Sequence, residues 1–257
     1  MYYIFDGTYY GWLCCVFEAF ERKDFSVKPI TKELYLPDIF AEDIYIHTDS
    51  EKAVRVLKGL QERVGKNTAL DFFRSFLFES PEVWQAAFYL CIQIFKGNKE
   101  ILNNYGDDAV MKFSDALRKV SRERHRMKAF VRFQQSSDGL FFAVVEPDFN
   151  VLPLITTFFK NRYTDQPWII YDLKRNYGIY WDKVSVTEVV LNTADVKDMV
   201  HSSTVVSLDA QEEYYKNLWQ QYFKSTNIVA RKNMKLHLRH VPRRYWKYLP
   251  EKDFGKK

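Results

Sequence analysis

Near the end of the chain, His240, Arg243, Arg244 and Lys247 are interleaved with Tyr245, Trp246 and Tyr248 between Pro242 and Pro250. Arginine and lysine neutralise phosphates, each contact adding about 0.7–0.9 to the slope of log affinity against log salt. Aromatic rings stack on unpaired bases, typically for about 1–3 kcal/mol per base. The same pattern also describes a segment whose rings plug a hydrophobic groove while its charges face water. The sequence leaves both readings open.

A second basic cluster comprises Arg118, Lys119, Arg122, Arg124, His125, Arg126, Lys128 and Arg132, diluted by Glu123. At helical spacing Arg118, Arg122 and Arg126 share one face, where like charges repel. An anionic ligand would neutralise them, and so would a carboxylate elsewhere in the fold. The candidate nucleic-acid-binding set is therefore His125, Arg126, Lys128 and Arg132 with Arg239, His240, Arg243, Arg244, Tyr245, Trp246 and Lys247. Contacts of this kind to phosphate position a protein without conferring sequence specificity.

The charge distribution points the same way. The net charge is +5, yet residues 231–257 hold ten Lys/Arg against Glu251 and Asp253, so the remainder is net acidic. A basic tail on an acidic body is the footprint of an anionic partner such as nucleic acid, although solvated lysines at a chain end give the same count. Aromatic residues make up 17% of the chain, so some rings must lie near the surface.

Residues suited to catalysis are dispersed. There is no Gly-rich phosphate loop, Walker lysine or nucleophile elbow, and only nine glycines are present. Asp6, Asp172 and Asp182 fall in turns or at strand ends, where Asp is common for backbone reasons. Glu146 and Asp148 flank Pro147, leaving a catalytic carboxylate open there. His237 and His240 lack a neighbouring acid or cysteine, and Cys14, Cys15 and Cys91 read as reduced, buried thiols. No catalytic residue, metal site or cofactor is assigned. With no apolar run long enough to span a membrane and no signal peptide, the expected location is the cytoplasm.

The elements that must position these residues predict an α+β fold: a helical N-terminal half, a central antiparallel sheet covered by a helix, and C-terminal helices with the basic–aromatic tail. Residues 2–5 read as a strand, 9–21 as a helix and 34–48 as extended. Thr48 and Glu51 fit a capping box opening a helix to about Val64. Helices follow at 68–78, at 81–96 with Pro81 in its first turn, and from Asp107 to about Arg126. Lys128–Gln134 and Leu140–Glu146 read as a hairpin about Ser136-Ser137-Asp138-Gly139. A helix from Val151 to about Tyr163, a hairpin of Trp168–Asp172 and Tyr177–Trp181, a strand Ser185–Leu191 and helices at 209–224 and 230–240 complete the pattern. A single interlocked domain over 1–257 is expected, with sub-regions 1–126, 127–200 and 201–257. Ser202-Ser203-Thr204 is the best candidate joint.

Three stretches carry a resemblance. Phe5-Asp6-Gly7-Thr8 with Val16-Phe17-Glu18-Ala19, then residues 125–133 (HRMKAFVRF), then Pro242-Arg243-Arg244-Tyr245-Trp246-Lys247 resemble a bacterial family of DNA-metabolism or DNA-repair proteins. In that family the domain is similar to one fused in some proteins to a uracil-DNA-glycosylase-like domain. It is typically encoded beside a radical S-adenosylmethionine (radical SAM) protein. The resemblance implies a stand-alone form whose radical chemistry belongs to the partner, because this chain lacks the three-cysteine cluster of a radical enzyme.

The leading expectation is a DNA-binding accessory subunit acting with a radical SAM partner. The alternatives are a glycosylase- or nuclease-like enzyme with an unfamiliar site, and a protein-interaction scaffold. A pocket joining Glu146 or Asp172 to His125 or Arg126 would favour the enzyme.

Overall fold

The computed structural model describes residues 1–37, 43–135, 139–190 and 241–249. The chain separates into two compact units, Met1–Ser121 and Arg122–Lys257. Among the described residues no helix is long and apolar enough to cross a membrane.

The first unit is built on the apolar strand β1 (Tyr2–Phe5), whose last three residues are buried. Asp6-Gly7-Thr8 turns the chain, with Gly7 at φ +82 in the region that favours glycine. Thr8 caps helix α1 (Tyr9–Arg22) by accepting a hydrogen bond from the Gly11 N–H at 2.9 Å. Helix α1 buries Trp12, Leu13, Cys14, Cys15 and Val16. It leads to β2 (Lys28–Thr31), which runs parallel to β1, and β3 (Ile44–Tyr45) runs parallel along the other side of β1. The sequence signalled β1 and an extended stretch around β3. It did not signal β2, a four-residue strand containing Pro29, and periodicity carries no signal of parallel pairing.

Helix α2 (Ser50–Phe76) contains Gly65 at φ +81 and ψ 160, a kink that divides it where the sequence reading placed a break. Its cap differs from the expected one. The Asp49 carboxylate accepts from the N–H groups of Glu51 (2.8 Å) and Lys52 (3.2 Å). The Thr48 hydroxyl instead donates to Asp6 at 2.7 Å. Helix α3 (Pro81–Phe95) begins on its proline as expected, and a 3-10 turn (Lys99–Asn103) precedes helix α4 (Asp108–Phe130).

The end of α4 corrects the expected strand over Lys128–Gln134, because the helix continues to Phe130 and only β4 (Gln134–Gln135) is extended. The reason is a buried stripe at three- and four-residue spacing, Val110, Phe113, Ala116, Val120, Glu123 and Met127, which carries the helical period through the basic cluster. One member of that stripe is a carboxylate.

The second unit holds a five-stranded sheet in the order β4-β5-β6-β7-β8. Strand β5 (Phe141–Val145) leads through helix α5 (Leu152–Arg162) to β6 (Trp168–Asp172). Strands β7 (Tyr177–Trp181) and β8 (Val186–Val189) follow. The β4·β5 and β6·β7 pairs are antiparallel, in line with the two expected hairpins; β8 adds antiparallel to β7, while β5 and β6 pair in parallel. The helical crossover explains the exception, since it returns the chain to the same end of the sheet before β6 begins. Helix α5 packs against β7 and so covers the sheet as expected. A 3-10 helix (Arg243–Tyr248) is the last described element. The expected helices at 209–224 and 230–240, the joint at Ser202-Ser203-Thr204 and turn residues 136–138 lie outside the described residues.

Candidate functional site

Within the second unit the Glu123 side chain on α4 is only 1% exposed, and a buried carboxylate must be paired and hydrogen-bonded to be tolerated. It accepts from the Asp148 N–H at 2.9 Å, from the Tyr245 hydroxyl in a short contact, and from Arg126 Nη1 at 3.4 Å. Arg244 Nη2 lies 3.9 Å away and also pairs with the Asp148 carboxylate. Burial, reinforced by the Glu123 charge, pushes the Tyr245 hydroxyl well above the usual tyrosine range, so it stays a donor. Tyr245 is itself buried and packs 5.5 Å from the ring of Phe130.

The loop between β5 and α5 gathers further partners. Lys247 Nζ reaches Glu146 at 2.5 Å. Lys174 and Arg175 donate to the Asp148 carbonyl at 2.9 and 3.2 Å, and the Tyr177 hydroxyl donates to Asn150 at 2.5 Å. Arg175 also pairs at 2.7 Å with Asp172, which is fully buried at the hairpin. Burial raises the Asp172 carboxyl above its usual range despite that arginine. Two stretches that are separate in the sequence, one around Arg126 and one around Arg244, thus meet on the Glu123 carboxylate.

The second feature is a cleft of about 610 Å³ between the end of α4, β5 and α5. Lys128, Arg132 and Arg162 supply its charge; Phe133, Phe158 and Tyr163 are among its half-buried rings. Its lining residues include no carboxylate. Lys128 Nζ sits 4.9 Å from the centre of the Phe158 ring. Phe133 packs edge-on against Phe159 at 5.7 Å and Tyr163 at 5.4 Å, which fixes the aromatic wall. Arg132 Nη1 donates to the carbonyls of Ala129 (2.6 Å) and Val131 (3.2 Å), holding its guanidinium over the helix end.

The candidate residues therefore divide. Lys128 and Arg132 line the cleft. Arg126, Arg244 and Tyr245 converge on Glu123, and Lys247 pairs with Glu146. His125 and Arg243 are exposed, and half-buried Trp246 donates its indole N–H to the Val241 carbonyl at 3.1 Å. Arg239 and His240 lie outside the described residues. In the first basic cluster, Arg118 is paired with Asp115 and Arg126 with Glu123, so carboxylates of the same helix neutralise two of its three stacked arginines. Sequence reasoning missed Arg162, Phe158 and Tyr163 as cleft residues and Glu123 as a hub. An acid inside an apolar helical stripe was the available signal for Glu123. Among the described residues no group of three or more His, Cys, Asp or Glu is placed to hold a metal ion.

The fold and cleft define an α+β protein with a cationic, aromatic-walled recess. A family model described as a domain of unknown function, DUF4130, matches residues 81–251, from α3 to just beyond the 3-10 helix, and the chain belongs to that family. No curated protein and no solved structure matches the chain.

Proposed function

We propose that the chain is a DNA-binding accessory protein of DNA metabolism or repair, and that the cleft of Lys128, Arg132 and Arg162 is where it holds DNA. The observation that carries this reading is the composition of the cleft: three cations and a wall of partly open rings, with no carboxylate among the lining residues. Such a recess attracts phosphate and offers apolar area to a base or sugar. The lining holds neither a carboxylate nor a histidine, the commonest general acid–base groups, and this supports the accessory reading.

The resemblance to DNA-repair proteins fused to a glycosylase-like domain supports DNA as the partner. The radical SAM protein typically encoded beside that family would supply the chemistry. In this reading the 3-10 helix serves the second unit by closing over Glu123 and Asp148, and it leaves Arg243 exposed for phosphate.

The test is binding of the purified chain to short fluorescent DNA at low salt, beside an Arg132→Ala/Arg162→Ala variant of unchanged thermal stability. Loss of binding in the variant supports the reading. Undiminished binding removes the cleft from it.

A further inference from the structure

Resting on the DNA-binding reading above, we infer that the cleft takes one unpaired base of single-stranded DNA, stacked against the rings of Phe158 and Tyr163, with the flanking phosphates held by Lys128, Arg132 and Arg162. The rings lie in a recess of about 610 Å³ rather than on a flat face. That volume is on the scale of sites that hold one small ligand, roughly 300–1,000 Å³. A nucleotide enters such a space, whereas a base-paired stack does not.

The chemistry of the wall agrees. Phe133, Phe158 and Tyr163 are each half-buried, so part of each ring remains open while its neighbours hold it in place. Lys128 covers one face of the Phe158 ring, so a base stacking there displaces the ammonium on its flexible stem towards the phosphate of the same nucleotide. Arg162 is exposed at the end of α5, free of any carboxylate partner among the described residues. Because a paired base must first be unstacked at a cost of a few kcal/mol, such a recess selects DNA whose bases are already free.

The experiment uses the full chain with a 12-nucleotide DNA carrying 2-aminopurine at its centre, presented as a single strand, as a duplex and as the matching RNA. The wild type should quench the 2-aminopurine of the single strand and bind it at least about tenfold more tightly than the duplex. Phe158→Leu should weaken single-strand binding by about tenfold and abolish the quenching, with duplex affinity unchanged. Arg162→Ala, at an exposed position that leaves the fold intact, should weaken both. Equal affinity for single strand and duplex without quenching overturns this inference while the DNA-binding reading stands. Tighter binding of the RNA also overturns it. Failure to bind either DNA form at low salt overturns both.

Discussion

The Tyr245 hydroxyl donates to the Glu123 carboxylate across 122 positions of sequence, and both side chains are buried. Around that bond the second unit ties the end of α4 to the 3-10 helix, with Arg244 and Asp148 completing the contact. Glu123 could not occupy an apolar helical stripe without those donors, so its burial and the docking of the 3-10 helix depend on each other.

Tyr245→Phe keeps the ring contact with Phe130 and removes one donor from a buried carboxylate. A loss of about 1–3 kcal/mol is expected in denaturant unfolding followed by a probe in the second unit. In a Glu123→Gln background the same substitution should cost less, because the charge that strengthens the bond is gone.

Gly11→Ala tests the turn at the start of α1. A Cβ there would lie 2.3 Å from Asp6 Oδ1 and 2.9 Å from Thr48 Oγ1, inside the network in which Asp6 accepts from Thr8 and Thr48. Partial burial raises the Asp6 carboxyl, but those hydrogen bonds more than offset it and hold the group below its usual range. The substitution should destabilise the first unit by about 1–3 kcal/mol, read as a lower denaturation midpoint.

Acid should loosen the contact between Lys247 and Glu146. Partial burial raises the Glu146 carboxyl, yet the adjacent Lys247 ammonium outweighs it, and the group titrates below its ordinary value of 4.5. The folded state therefore favours the ionised form. Its contribution is complete above that ordinary value and is lost as pH falls through the lower folded one. Both side chains are more than a third exposed, so solvent screening keeps the effect within about 1 kcal/mol. Stability measured against pH should fall less below pH 4.5 in Glu146→Gln than in the wild type. Asp172, raised by burial, contributes an opposite slope to both proteins and cancels in the difference.

Cys14, Cys15 and Cys91 are buried, and burial pushes all three thiols up. Since the thiolate is the reactive form, none should be alkylated rapidly at pH 8 in the native protein. All should react once denaturant unfolds the first unit, a difference that mass spectrometry reads directly.

The sequence carried local structure better than pairing. The hairpin of Trp168–Asp172 and Tyr177–Trp181 was legible at its observed bounds because its strands flank the polar Lys174-Arg175-Asn176 turn. The parallel pairing of β5 with β6 was not, since strand periodicity is the same in either direction. The helix through Lys128 was hidden by a run of charged residues that masked the buried positions beneath it. For the site, residue types revealed cations and rings but not which acids they would meet. Arg244 and Lys247 read as free charges until the loop carrying Glu146 and Asp148 was placed against them. Periodicity places Arg162, Phe158 and Tyr163 on or at the end of the helix that covers the sheet, but it does not show that they face a recess beside Lys128 and Arg132.

The most direct test of the central claim is the salt dependence of single-stranded DNA binding by the wild type and by Lys128→Ala, Arg132→Ala and Arg162→Ala. If the cleft holds the DNA backbone, each substitution should weaken binding and reduce the slope of log affinity against log salt by about 0.7. Wild-type slopes retained in all three variants, or no binding by the wild type at low salt, would contradict it.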